Sequence, residues 1–82
     1  MLLVNNNGAV AMKANLSALQ QLAKTKNWTT PELARRLKVD YSYLFRIMRG
    51  EKRGGAKLWS GIYFLCKKEG LSIEDYIFLD EE

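Results

Sequence analysis

The stretch from Trp28 to Gly50, Trp-Thr-Thr-Pro-Glu-Leu-Ala-Arg-Arg-Leu-Lys-Val-Asp-Tyr-Ser-Tyr-Leu-Phe-Arg-Ile-Met-Arg-Gly, reads as two short helices joined by a tight turn. Thr29-Thr30-Pro31-Glu32 is a helix start: Thr29 can cap, Glu32 follows three residues later as in a capping box, and Pro31 falls in the first turn, where its missing N–H costs little. Leu33, Ala34 and Leu37 form the buried stripe of this helix, which stops near Lys38, and Val39 points back toward the core. Asp40 is expected to cap the next helix, Tyr41 to Arg49, which Gly50 ends. A connection of about three or four residues forces a steep crossing between the two. On a wheel of about 100° per residue, Leu44 and Ile47 define the buried side of the later helix and Tyr43 and Met48 lie at its borders. The opposite side carries Tyr41, Ser42, Phe45, Arg46 and Arg49. Soluble helices seldom gather Tyr, Phe and two Arg on a solvent face without a use for them.

Outward from this pair the same punctuation continues. Leu16, Leu19, Leu22 and Ala23 recur at spacings of three and four behind Asn15, a plausible cap, and this helix fades at Lys26–Asn27. Trp28 is expected to plug the core between it and the next. Glu51 to Ala56 is a basic, glycine-containing loop. A fourth helix is predicted from Lys57 to Glu69, with Leu58, Ile62, Leu65 and Cys66 inward, Trp59 and Tyr63 on its flank, and Gly70 as its cap. Ser72-Ile73-Glu74-Asp75 reads as another capping box, starting a last short helix with Tyr76, Ile77 and Leu79 inward. Residues 1–12 have no helical period; the Asn5–Asn7 run and Gly8 mark them as a flexible arm, with pairing to a partner subunit through Leu2–Val4 as its rival role. The expected architecture is all-α, a compact five-helix domain over residues 13–82.

Composition narrows the function. The chain of 82 residues has no His and only one Cys, Cys66. Zinc fingers, iron–sulfur ligation, disulfide scaffolds and His-based triads therefore lack their parts, and neither a metal nor another cofactor is expected. No activated nucleophile or poised acid/base pair is in view, so no catalytic residue and no enzyme activity are expected. The lone Cys suits a reducing, cytoplasmic setting and a small core position. Leu58–Cys66 is far short of the ~20 apolar residues of a membrane span, and Met1–Val4 does not read as a signal peptide. Charge is strongly divided. Lys13 to Lys57 holds eleven Lys/Arg against three acids, whereas Leu58 to Glu82 holds two Lys against six acids. That polarity orients a small domain toward a polyanion, foremost nucleic acid.

Trp28 to Ile77, with Glu32-Leu33-Ala34, Val39 in the turn, Arg46-Ile47 and Arg49-Gly50 closing the helix, and Gly70-Leu71-Ser72-Ile73-Glu74 near the end, resembles the XRE family, the helix-turn-helix proteins of the lambda-repressor and Cro type. With Leu16–Ala23 as first helix, the resemblance covers about four-fifths of the chain. It implies a recognition helix, Tyr41–Arg49, lying in the DNA major groove, where each base pair shows a distinct donor and acceptor pattern. Tyr41 and Ser42 stand where phage repressors of this family usually touch bases. Arg46 could fork onto a guanine or make an exposed salt bridge, and Phe45 could meet a thymine methyl or pack against Tyr41 or the loop. Arg49, Lys52, Arg53 and Lys57 read as phosphate contacts, as does Thr30 at the start of the second helix. Arg35, Arg36 and Lys38 sit on an exposed face, where basic residues are usually just solvated. Two departures stand out: Lys38 replaces the family's common turn Gly, and Thr30 replaces a common Gln.

The expected function is sequence-specific binding of double-stranded DNA by a small transcriptional regulator from a bacterium, phage or mobile element, as a homodimer if its site is palindromic. One alternative is an antitoxin-type or excision/transfer accessory factor acting in a complex, with a protein partner on the acidic C-terminal half. Another is a protein-interaction module that has lost DNA binding. The aromatic group Trp59, Tyr63, Phe64, Tyr76 and Phe78 exceeds what so small a core needs, and either a dimer interface or a cover for the last helix would employ it.

Overall fold

Four helices and a two-stranded antiparallel sheet make up the structure, a computed structural model that describes residues 10–81. The order is β1 (Val10–Ala14), α1 (Leu16–Lys26), α2 (Thr30–Leu37), α3 (Tyr41–Met48), α4 (Ala56–Glu69), a single 3-10 turn (Ile73–Asp75) and β2 (Ile77–Glu81). Among the described residues, no helix is long and apolar enough to cross a membrane.

All four helices end on one left-handed residue. At the first three the last turn closes through two reversed hydrogen bonds around it, and at α4 through one, from the Leu71 N–H to the Cys66 carbonyl; this satisfies carbonyls that would otherwise lack donors. At the end of α1, Asn27 takes φ 62° while the Trp28 N–H donates to the Ala23 carbonyl at 2.8 Å. At the end of α2, Lys38 takes φ 61°, and the Val39 and Lys38 N–H groups donate to Ala34 and Arg35 at 3.0 and 3.1 Å. Gly50 (φ 79°) and Gly70 (φ 69°) hold the corresponding places after α3 and α4. In three of the four, the next residue is apolar and folds back: Trp28, Val39 and Leu71 all pack against the core. Lys38, in place of the family's common turn Gly, takes the left-handed conformation itself, at a backbone cost of about 1 kcal/mol that glycine would escape.

The helix starts are less uniform. Asn15 Oδ1 accepts from the Ala18 N–H at 3.1 Å and Thr29 Oγ1 from the Glu32 N–H at 3.2 Å, both as expected. Asp40 stands at the start of α3 but makes no side-chain capping bond. The fifth helix does not form, and the fold is not strictly all-α. Ser72 caps nothing through its side chain, and helical turns stop after Asp75. Ile77-Phe78-Leu79 then runs on as β2 against β1, with Met12 opposite Leu79. A short apolar, aromatic run cannot be told from a buried helix by periodicity alone, and here the available partner decides. That partner lies in the segment expected to be an arm: residues 1–9 fall outside the described residues, while Val10–Met12 are paired in β1. Asn15 joins the two ends, donating its backbone N–H to the Tyr76 carbonyl at 2.8 Å and its side-chain amide to Asp75 at 3.2 Å.

The core gathers Leu19, Leu22, Ala23, Leu33, Ala34, Leu37, Leu44, Ile47, Leu58, Ile62, Leu65 and Cys66 between the four helices. One further buried position, Gly61 in mid-α4, has a specific steric role. A Cβ there would overlap the Leu37 carbonyl oxygen and stand 3.1 Å from the carbonyl carbon, so α4 touches the backbone at the end of α2. Gly in a helix interior ordinarily costs about 1 kcal/mol relative to Ala. Gly61→Ala is nonetheless expected to destabilise the fold by about 2–3 kcal/mol, because backbone cannot yield as a side chain does. Lys38→Gly is expected to gain up to about 1 kcal/mol by removing the left-handed strain. Urea unfolding midpoints of the two variants check both signs, and a stabilised Gly61→Ala would refute the close approach.

Candidate nucleic-acid interface

The buried stripe of α3 is Leu44 and Ile47, with Tyr43 and Met48 half-buried at its borders. Tyr41, Ser42, Phe45, Arg46 and Arg49 are exposed on the other side, Tyr41 and Phe45 with 47% and 39% of their surface in solvent. The Tyr41 and Phe45 ring centroids are 5.7 Å apart, and the Arg49 guanidinium lies 5.4 Å from the Phe45 centroid. Phe45 therefore does pack against Tyr41, with Arg49 over its ring, yet stays exposed. Arg49 also pairs with Glu51 at 2.9 Å. Arg46 has no ion pair or hydrogen bond from its side chain among the described residues, so the exposed salt bridge considered for it is absent there.

Two neighbours flank this helix. On one side, Thr30, the first residue of α2, and Phe45 line the same groove, about 480 Å³, floored by Trp28, Leu33 and Met48. This brings the free N–H groups at the start of α2 alongside the exposed face of α3. On the other side the loop bearing Lys52 and Arg53 is pinned to α3 through Tyr43, whose hydroxyl accepts from the Gly55 N–H at 3.4 Å. The Lys52 and Lys57 amines stand 5.7 and 5.4 Å from the Tyr43 ring. Tyr43 thus gathers two of the predicted phosphate contacts, a role that its border position on the wheel did not reveal. Arg53 is exposed near them, on the rim of a second groove of about 490 Å³ shared with Lys13, Trp59 and Phe78.

Arg35 and Arg36 belong elsewhere. Both are drawn to Glu32: Arg35 Nε donates to its carboxylate at 3.1 Å and Arg36 Nε at 2.7 Å. Arg36 also reaches Glu69 at 3.8 Å and stacks 4.4 Å over Trp28, while Lys26 bonds Glu69 at 3.2 Å. Through Glu69, Lys26 and Arg36 tie α1, α2 and α4 together. The hydrogen bonds from Arg35 and then Arg36 hold the Glu32 carboxyl below its ordinary range, and burial pushes the Cys66 thiol up, in keeping with a core cysteine. No group of metal-ligating side chains occurs among the described residues. Comparison with protein-family models, curated proteins and solved structures found no match.

The depressed Glu32 carboxyl has a signed consequence. Its contribution to stability is present above the ordinary value of 4.5 and is lost as pH falls through the lower folded-state value. The melting-temperature difference between the wild type and Glu32→Gln should therefore be full at neutral pH and shrink as acid is added below that range. A difference that stays constant across thermal melts from neutral to strongly acidic buffer would show that the carboxylate charge is not its source.

Proposed function

We propose that the protein binds double-stranded DNA with sequence preference, with α3 in the major groove, and acts as a small transcriptional regulator of the helix-turn-helix type. The observation that carries this reading is the exposed face of α3. It offers Tyr41, Ser42, Phe45 and an Arg46 with no side-chain partner among the described residues, between Thr30 on one flank and Arg49, Lys52, Arg53 and Lys57 on the other. Arg46 suits the bidentate guanine contact, the Tyr41 and Ser42 hydroxyls suit base or backbone oxygens, and the exposed part of the Phe45 ring suits a thymine methyl. The flanking cations supply affinity without sequence choice. A homodimer on a palindromic site is part of the proposal, and sites selected from a random DNA pool would report it through their symmetry and half-site spacing.

With about five phosphates neutralised, log K should fall against log salt with a slope of roughly −4 to −5 per subunit. Lys52→Ala should weaken selected and random DNA alike and flatten that slope by about one unit. Arg46→Ala should cost about 1–3 kcal/mol on the selected site and clearly less on random DNA. Arg46→Lys keeps the charge without the fork, so it should restore random binding and only part of the discrimination. A salt slope near zero for the intact protein would remove DNA as the partner. Equal losses on both DNAs for Arg46→Ala would make it a backbone contact.

A further inference from the structure

The outer face of α4 is aromatic and basic in a way that DNA binding through α3 does not use. Tyr63 and Phe64 leave 54% and 41% of their surface in solvent. Each is attended by lysines: the Lys38 amine stands 4.6 Å and the Lys68 amine 5.9 Å from the Phe64 ring, and Lys67 stands 5.9 Å from the Tyr63 ring. Between these rings and the end of α2 runs an open groove of about 500 Å³, with Leu37, Ser60 and Gly61 in its lining and Lys38 and Lys57 beside them. Lys38, Lys57, Lys67 and Lys68 make no salt bridge with any described residue, although Glu69, beside Lys68, is engaged by Lys26 and Arg36.

We propose that this groove is the docking site for an acidic, amphipathic segment of another protein, one carrying bulky apolar side chains between carboxylates. Charge complementarity supplies the sign of the partner, since Lys38 and Lys57 line the groove, Lys67 and Lys68 attend its two rings, and none of the four makes a salt bridge with a described residue. The apolar lining supplies its second property. Leucine or phenylalanine side chains can fill the space between Leu37, Tyr63 and Phe64, whereas a phosphate backbone has nothing apolar to place there. A carboxylate arriving over the rings competes for lysines that now spend their charge on aromatic faces, an exchange of a weak cation–π contact for an ion pair. This differs from the partner surface expected on the acidic C-terminal half: the protein face offered by α4 is basic. Of the residues assigned to DNA, only Lys57 borders this groove, so the two surfaces can be separated by mutation.

The test uses the full chain and a labelled 12-residue peptide in which aspartates alternate with leucine and phenylalanine. Its binding, read by fluorescence anisotropy, should be saturable and should weaken with salt. The double variant Tyr63→Ala/Phe64→Ala, which changes no charge and removes only exposed rings, should weaken it at least about tenfold while leaving duplex DNA affinity within about twofold. Lys38→Gly should weaken the peptide by roughly two- to fivefold, the factor of one exposed charge pair, even though it relieves backbone strain and keeps the fold. A matched peptide with asparagine for every aspartate should bind at least about tenfold more weakly. Equal binding of the neutral peptide would overturn the proposal, as would no saturable binding at all. Loss of a labelled twelve-residue oligothymidine, rather than of the peptide, in the double variant would assign the surface to single-stranded nucleic acid instead. Self-association of the wild type that the double variant abolishes would assign it to a second copy. Failure of duplex DNA binding bears on α3 alone and leaves this outcome readable.

Discussion

The arrangement of α2 and α3 depends on how closely α4 approaches the end of α2. The missing side chain at Gly61 lets α4 lie against the Leu37 carbonyl, one residue before the chain turns at Lys38. That contact fixes where α2 stops, and the left-handed residue with its two reversed hydrogen bonds then fixes the direction in which α3 departs. Leu44 and Ile47 complete the arrangement by anchoring α3 to the same core. The exposed residues of α3 are therefore presented by backbone packing two elements away, on a rigid base of mostly leucine side chains.

Cations in this chain fall into two populations that net charge does not separate. Arg35, Arg36 and Lys26 are drawn onto Glu32 and Glu69; through Glu69 Arg36 and Lys26 fasten one helix to another, Arg36 also covering Trp28, while Arg35 pairs within α2. Most of the cations on α3, on the loop after it and on α4 stand over aromatic rings or in solvent instead, with Arg49 also paired to Glu51. Eleven Lys/Arg between Lys13 and Lys57 thus overstate the charge available to a polyanion. The placement of Glu32 and Glu69, each shared by two basic residues, divides the one population from the other.

The α2–α3 unit was legible because its punctuation is local. Thr29, Pro31, Gly50 and Gly70 act through hydrogen bonds and φ angles within a few residues, and even the departure at Lys38 adopts the conformation its position demands. The buried stripes of α2, α3 and α4 followed from period alone. What could not be read depends on partners far away in the chain. Val10–Ala14 has no alternation, Ile77–Leu79 is uniformly apolar, and each becomes a strand only because the other is there. Gly61 looked like any helical glycine, since the reason for it lies on Leu37. Tyr43 looked like a border residue, since its hydroxyl partner is twelve residues on, in the loop. In the candidate interface, residue types and the exposed face were readable, whereas Arg35 and Arg36, read as solvated, prove to be engaged through Glu32, a pairing that the exposed-face reading passed over.

The pairing of Val10–Ala14 with Ile77–Glu81 also sets an order of events in time. Every helix can close on near neighbours, but this sheet must join segments separated by almost the whole chain, a loop closure whose entropy is recovered only after the helices have packed. The sheet is therefore expected to assemble last and to open first. Asn15 makes that opening consequential, because the residue that caps α1 also bonds the carbonyls of Asp75 and Tyr76. Unzipping the strands frees that residue and loosens the first turn of α1, while α2, the turn at Lys38 and α3 stay seated on Gly61 and the leucine core. On that expectation the paired strands behave as a weaker cooperative unit clipped onto a firmer one.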